Sequence, residues 1–255
     1  MTIVRTAEFH GPDIADFFPE LLGGFITRIN MIQLLATAVL VVLLIVGTRR
    51  LTVVPGRFQS VVEAGFGFVT NGIAYDLLGK KDGRRFLPIL LTIFFGILFM
   101  NITGAIPFLN IQGTSVMGAP AVFAIVAYVA FIYAGIKKHG FGRFLKASLV
   151  PGGVPIVLVP IIAIVELIST FIVRPVSLAL RLLLNMMVGH MMLVLFFSAT
   201  NFFFFSASWL TVLSPGTFAL GLAFTLFEIG VAFLQAYVFT ILTAVYIQLS
   251  LADEH

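Results

Sequence analysis

Two arginines, Arg174 and Arg181, stand inside a stretch that otherwise has the composition of a membrane helix, its apolar runs broken mainly by Glu166, Asn185 and His190. A cation near mid-bilayer costs about 2.5–3.5 kcal/mol on insertion scales, so it normally faces water, a partner charge or a moving substrate. At 100° per residue, Arg174, Ser177, Asn185 and Val188 point within about 40° of Arg181, a polar stripe suited to a water-lined or partner-facing surface. No acidic residue lies one helical turn from Arg181, so its own helix offers it no ion pair. His190 points to the opposite side. Pro175 removes a backbone hydrogen bond from the same stretch, which a membrane tolerates only where water or neighbouring groups satisfy the freed carbonyl.

A second polar set lies in the last apolar segment, where Glu228, Gln235 and Tyr246 share a helix face. If the last two segments form an antiparallel hairpin, the pairs His190–Glu228 and Arg181–Gln235 have nearly the same sum of residue numbers. One register, centred near Ser208 and Trp209, therefore brings both pairs level. An imidazole and a carboxylate at one level can exchange protons reversibly with water. Plainer readings stand beside these: Asn185 and Gln235 as interhelical hydrogen-bonding residues, His190 with Glu228 as a static buried pair, and Arg174 as a snorkelling or lipid-binding arginine.

The elements that must carry these residues follow from composition. Of 255 residues, 60% are hydrophobic and only 10% charged, against about 25% charged in soluble domains. The mean hydropathy is +1.13. The chain reads as an all-α polytopic membrane protein forming a single membrane-embedded domain over 1–255. It has about five crossing helices plus an interfacial amphipathic one. An external N-terminal segment, 1–28, precedes a first span at 29–48. Residues 56–78 mix Arg57, Glu63, Asn71 and Asp76 with Val61, Phe66 and Phe68, and are expected to lie in the interface. Further spans are expected at 86–108 and 119–136, joined by a short uncharged loop, 110–119. The segments 155–199 and 215–250 would be about 67 and 54 Å long as helices, while a hydrocarbon core is about 30 Å thick. They are expected to be steeply tilted and paired as an antiparallel hairpin, connected around 201–214.

Basic residues give orientation. Arg49, Arg50, Arg57, Lys80, Lys81, Arg84 and Arg85 fall in one connection, and Lys137, Lys138, Arg143 and Lys146 in another. The positive-inside rule places both in the cytoplasm, with the N-terminus outside and the C-terminus inside. The pI near 9.6 reflects these loops and not a nucleic-acid surface. With no cysteine, disulfides, thiolate metal sites and cysteine nucleophiles are excluded. No metal, cofactor or bound nucleotide is expected, there being no phosphate-binding glycine loop. No signal-peptide pattern opens the sequence, because Glu8, Asp13, Asp16 and Glu20 interrupt any basic-then-apolar order.

The run from Arg174 through Arg181 and Asn185 to His190 resembles subunit a of the membrane sector of F-type ATP synthases. So do Leu234-Gln235-Ala236-Tyr237-Val238-Phe239, with Leu242-Thr243-Ala244-Val245-Tyr246 downstream, and Phe99-Met100-Asn101-Ile102-Thr103-Gly104-Ala105-Ile106-Pro107. The resemblance covers most of the chain after Val61. It implies a proton-translocating stator subunit, multi-pass in a bacterial plasma membrane. The expected partners are a c-ring and a peripheral-stalk b-type subunit, and nucleotide chemistry is left to other subunits. The family's essential arginine maps to Arg181, and its nearby asparagine and glutamine to Asn185 and Gln235. Some members carry Glu and His where this chain has His190 and Glu228, so this is the exchanged arrangement. Glu166 maps to the proton path with a separation from Arg181 one residue longer than the family pattern. The resemblance further implies two offset aqueous half-channels, with Arg181 attracting the c-ring carboxylate and separating them. An ion-coupled secondary transporter would also hold intramembrane charges, but no inverted repeat is found. A membrane scaffold would explain the length of the helices but not Arg181 and the matched polar levels.

Overall fold

A computed structural model of the chain describes residues 28–49, 56–106, 112–149, 158–205 and 209–252. The expected external segment falls almost entirely outside them, as do the end of the second expected span and the start of the fourth. Every regular element among the described residues is helical. Five helical runs are long and apolar enough to cross a membrane: Ile29–Gly47, Gln59–Ala105, Gly118–His139, Val159–Phe205 and Thr211–Leu251.

Helix α1 (Arg28–Arg49) is followed by α2 (Arg57–Val69), a π-helical turn (Thr70–Tyr75) and α3 (Asp76–Ile102). Gly79 divides this second run. Its φ of 72° lies in the left-handed region, open to glycine at little cost, and the chain turns back there. The close approach after the turn needs a second glycine, since a Cβ on Gly83 would stand 2.7 Å from the carbonyl oxygen of Ala74. The rings of Phe66 and Phe68 then meet Phe95 and Phe94 at 5.4 and 5.8 Å. The amphipathic segment is thus a helix distinct from the span that follows it, and that span starts before Phe86, directly after Gly79.

Helix α4 (Gly118–His139) stops at Gly140, again at positive φ. The basic stretch beyond it was expected to be a plain connection, but it folds as a short helix, α5 (Phe141–Leu149). Phe144 is buried and stacks edge-on against Phe131 at 5.6 Å, an apolar anchor hidden among Lys and Arg.

The last two segments are single long helical runs. Helix α6 (Val159–Ile168) passes through a π-helical turn (Ser169–Val173) into α7 (Arg174–Phe205), and α8 runs from Ser214 to Leu251. The π turn sits just ahead of Pro175, whose ring and missing N–H disturb the bond to the preceding turn. Helix α7 continues past residue 199 to Phe205, so the connection is shorter than expected and partly a 3-10 turn (Trp209–Leu213). Contacts between α7 and α8 run antiparallel: Thr200 with Thr217, Phe196 with Phe224, and Arg174 with Tyr246. Small residues let the backbones approach, as at Gly221, which faces Phe197, and at the buried Ala232, Ala236 and Ala244. The shared core is built from Leu90, Ile93, Phe94 and Ile97 of α3, Leu178 and Leu182 of α7, and Phe239 of α8.

The ends of the bundle differ in charge. Arg85 lies over the rings of Phe86 and Tyr133, Lys137 donates to Tyr133 Oη at 3.3 Å, and Lys138 donates to the carbonyl of Leu251. Both basic connections and the end of α8 therefore meet at one end. If the hairpin register is right, Thr200→Cys with Thr217→Cys, whose hydroxyls now lie 2.9 Å apart, will form a disulfide on mild oxidation. Thiol labelling before and after reduction reads this directly, and continued full labelling of the oxidised pair would contradict the register.

Candidate functional site

Arg181 is exposed on α7, sharing a face with Leu184 and Val188, which are 54% and 58% exposed. That face continues onto α8 through Leu226, Phe227 and Leu234. A broad apolar surface carrying one exposed arginine is the surface of a chain that meets lipid or another membrane protein. Gln235 is buried on α8, and its Nε2 makes no hydrogen bond among the described residues. The antiparallel contacts above put Gln235 level with Arg181.

Behind that face lies a cavity of about 120 Å³ lined by Asn101, Gln112, Asn185, Gly189, Glu228 and apolar neighbours. Its polar lining comes from four places in the chain, and its volume suffices for several water molecules. Glu228 is buried. Gly189 makes the carboxyl's position possible, because a Cβ there would stand 2.9 Å from Glu228 Oε1. The loop after α3 also reaches in, and Gln112 Nε2 donates to Glu228 Oε1 at 2.8 Å.

That contact has no counterpart in the sequence expectation. His190 was expected to share a site with Glu228. The antiparallel register does bring His190 to that level, half-buried and turned away from Arg181, but His190 is not among the residues lining the cavity. The hydrogen bond to Glu228 comes from Gln112, in a loop read only as a connection. Asn101, a motif residue in the sequence, also lines the cavity, and it accepts a hydrogen bond from Thr114 Oγ1 at 2.6 Å. The usable signal was the loop's composition. Residues 110–119 carry no charge, unusual for an exposed membrane loop and natural for one tucked among helices.

The other polar residues lie further along. Asn185 reaches the cavity from α7, one turn beyond Arg181. Glu166 is half-buried on α6, on the opposite side of Arg181 from the cavity, and takes a hydrogen bond from Thr170 Oγ1 at 3.4 Å. Arg174 has an aromatic neighbour. Its guanidinium sits 5.4 Å from the Tyr246 ring, in a pocket with Tyr128, Phe131 and Thr170. Among the described residues no group of three or more His, Asp or Glu is placed to hold a metal.

Comparison with known proteins adds a family. The family described as ATP synthase A chain matches residues 30–248. The chain is 45% identical to an ATP synthase subunit a of Rhodococcus erythropolis, covering all of this chain and 95% of that protein. It is 39% identical to one of Pseudarthrobacter chlorophenolicus, covering 98% and 96%, and 37% identical to one of a Nocardioides species, covering 100% and 98%.

The Arg174–Tyr246 contact yields a test. Tyr246→Phe keeps the ring under the guanidinium, whereas Tyr246→Leu removes it at a cost of about 0.5–2 kcal/mol. Thermal unfolding of the detergent-solubilised chain should follow that order, and equal midpoints for the two variants would dismiss the cation–π contact.

Proposed function

This chain belongs to the ATP synthase A chain family, and from that premise we propose that it is the membrane stator subunit through which protons turn a ring of carboxylate-bearing c subunits. The exposed face of α7 and α8 is the surface the c-ring moves along, and a b-type subunit of the peripheral stalk holds the chain still. Nucleotide chemistry belongs to other subunits; this one moves protons.

Protons enter from outside through a half-channel that includes the cavity beside Glu228, with Asn185 on its wall and His190 at the same level. They neutralise a c-ring carboxylate, which can then travel through lipid as a neutral acid. After rotation they leave by an offset half-channel on the cytoplasmic side, the side toward Glu166. Arg181 stands between the two paths. Its guanidinium is a fixed cation with donors only, so it draws in the ionised c-ring carboxylate without relaying protons. Gln235 lies at the same level on the neighbouring helix.

One observation carries this reading: Arg181 is exposed on the apolar face, while the ionisable Glu228 is buried beside a cavity that Asn101, Gln112 and Asn185 also line. An arginine serving a static core would be turned inward. The gathering of both basic connections and the end of α8 at one end supports a cytoplasmic C-terminus, with the N-terminus outside.

Arg181→Ala should reduce proton-driven ATP synthesis in reconstituted vesicles to background while the complex still assembles. Arg181→Lys should be severely impaired, because a desolvated ammonium can lose its proton and lacks the planar fork. Near-normal synthesis by the alanine variant would refute the assignment.

A further inference from the structure

The cavity beside Glu228 is closed in part by a loop segment, 112–117, that turns inward between α3 and α4. Gln112 is 4% exposed and Thr114 fully buried, deep placements for residues of a connection. The segment is anchored without Gln112. Thr114 donates to Asn101, the N–H of Gly113 donates to the carbonyl of Met100 at 3.0 Å and to Thr103 Oγ1 at 3.2 Å, and Gln33 of α1 donates to the carbonyl of Gly113 at 2.7 Å. Gly104 makes room for the Gln112 side chain, which occupies the space a Cβ would take. Three hydrogen bonds to the backbone and one to the Thr114 side chain thus hold the segment in place, leaving the Gln112 amide to serve Glu228. At the carboxyl, Oε1 takes the amide N–H, while Oε2 is buried and has no hydrogen-bond partner among the described residues. Oε2 is therefore the carboxyl oxygen left without a protein donor, and the cavity at Glu228 has room for water.

We propose that Gln112 is a positioning residue for proton transfer at Glu228: the inturned loop delivers an amide N–H that fixes Oε1 and leaves Oε2 as the oxygen that exchanges protons with water in the cavity. This rests on the reading that Glu228 lies on the inlet path. In each cycle a protonated water gives its proton to Oε2, forming the neutral acid. The acid passes a proton inward to the next acceptor and returns to the carboxylate, so Glu228 is unchanged overall. Without the amide the carboxyl is free to rotate, and neither oxygen is held toward the water. The groups facing Glu228 are Asn101 from α3, Gln112 from the loop and Asn185 from α7, none of which titrates. His190 of α7 lies at the same level of the register and is the titratable group on the helix that faces α8 there.

The test uses the whole ATP synthase in vesicles, measuring passive proton conduction per assembled complex across a range of pH. Gln112→Leu should conduct about tenfold less, the scale of losing a hydrogen bond to a charged group, with unchanged complex yield and an altered pH profile. Exchanging the partners, Gln112→Glu with Glu228→Gln, rebuilds an amide–carboxyl pair in the same cavity and should conduct better than Glu228→Gln alone. Parental conduction and pH profile in Gln112→Leu, with Glu228→Gln impaired, would overturn the positioning role. Unaltered conduction in Glu228→Gln would instead overturn the inlet reading beneath it. Should Gln112→Leu fail to assemble, the exchange decides: recovery over Glu228→Gln supports the pairing, and no recovery overturns it.

Discussion

The run from Val159 to Phe205 is 47 residues long, about 70 Å at the α-helical rise, and the hydrocarbon core it must sit in is about 30 Å thick. Such a helix cannot stand upright, and it has no loop at which to break into two spans. It must lie steeply inclined, and its length is then stabilised sideways by α8, which is nearly as long. The pairing depends on close approach more than on apolar burial, since lipid is as apolar as leucine. Gly189, Gly221 and the alanines at 232, 236 and 244 are the means. Everything functional hangs on this hairpin, because a steep pair presents one long continuous face outward and keeps its other face for the bundle.

The inner face has to satisfy its polar atoms in a medium that does not. Thr240 and Thr243 do so locally, returning their hydroxyls to the carbonyls of Ala236 and Phe239 at 2.7 and 2.9 Å. Such bonds need no partner helix and fix no function. Glu228 has no local solution. A buried carboxyl with two oxygens needs donors from elsewhere, and the fold brings one on a loop 116 residues away in sequence. The other oxygen has no protein donor among the described residues. Arg174 is solved differently again, by the face of an aromatic ring. The two arginines therefore diverge: one is absorbed by the protein's own packing, and the other is left facing outward.

Much of this was legible in the sequence. Helix number and the unbroken length of the last two runs follow from hydropathy alone. The hairpin register follows from Arg181, His190, Glu228 and Gln235, because mid-membrane polar residues are too costly to leave at unmatched levels. The π turns were not legible, although Pro175 marked where one was needed. The helix at 141–149 was hidden by its charge, since Phe144 is a single buried anchor in a basic stretch. Gln112 was missed for a deeper reason. A contact over 116 residues leaves no periodicity, and a loop's inward turn is set by tertiary hydrogen bonds such as Thr114 to Asn101. Only the absence of charge in 110–119 hinted at it. The roles given to His190, Asn185, Gln235 and Glu166 rest on position and chemistry in the proposed path.

The spacing of the two charges in that path has its own logic. Glu228 Oε1 lies beside Gly189, eight residues beyond Arg181, or about 12 Å along the helix. Attraction between opposite charges falls as the inverse of their distance, so a pair held apart is coupled far less than one in contact. A contact pair would hold Glu228 ionised and occupy Arg181, so that neither could serve a passing group. Arg181 instead stays available on the outer face. The carboxyl is held by a neutral amide in place of a cation. A neutral donor orients a proton-exchanging group without fixing its charge, and that is the requirement on any residue that must both accept and release.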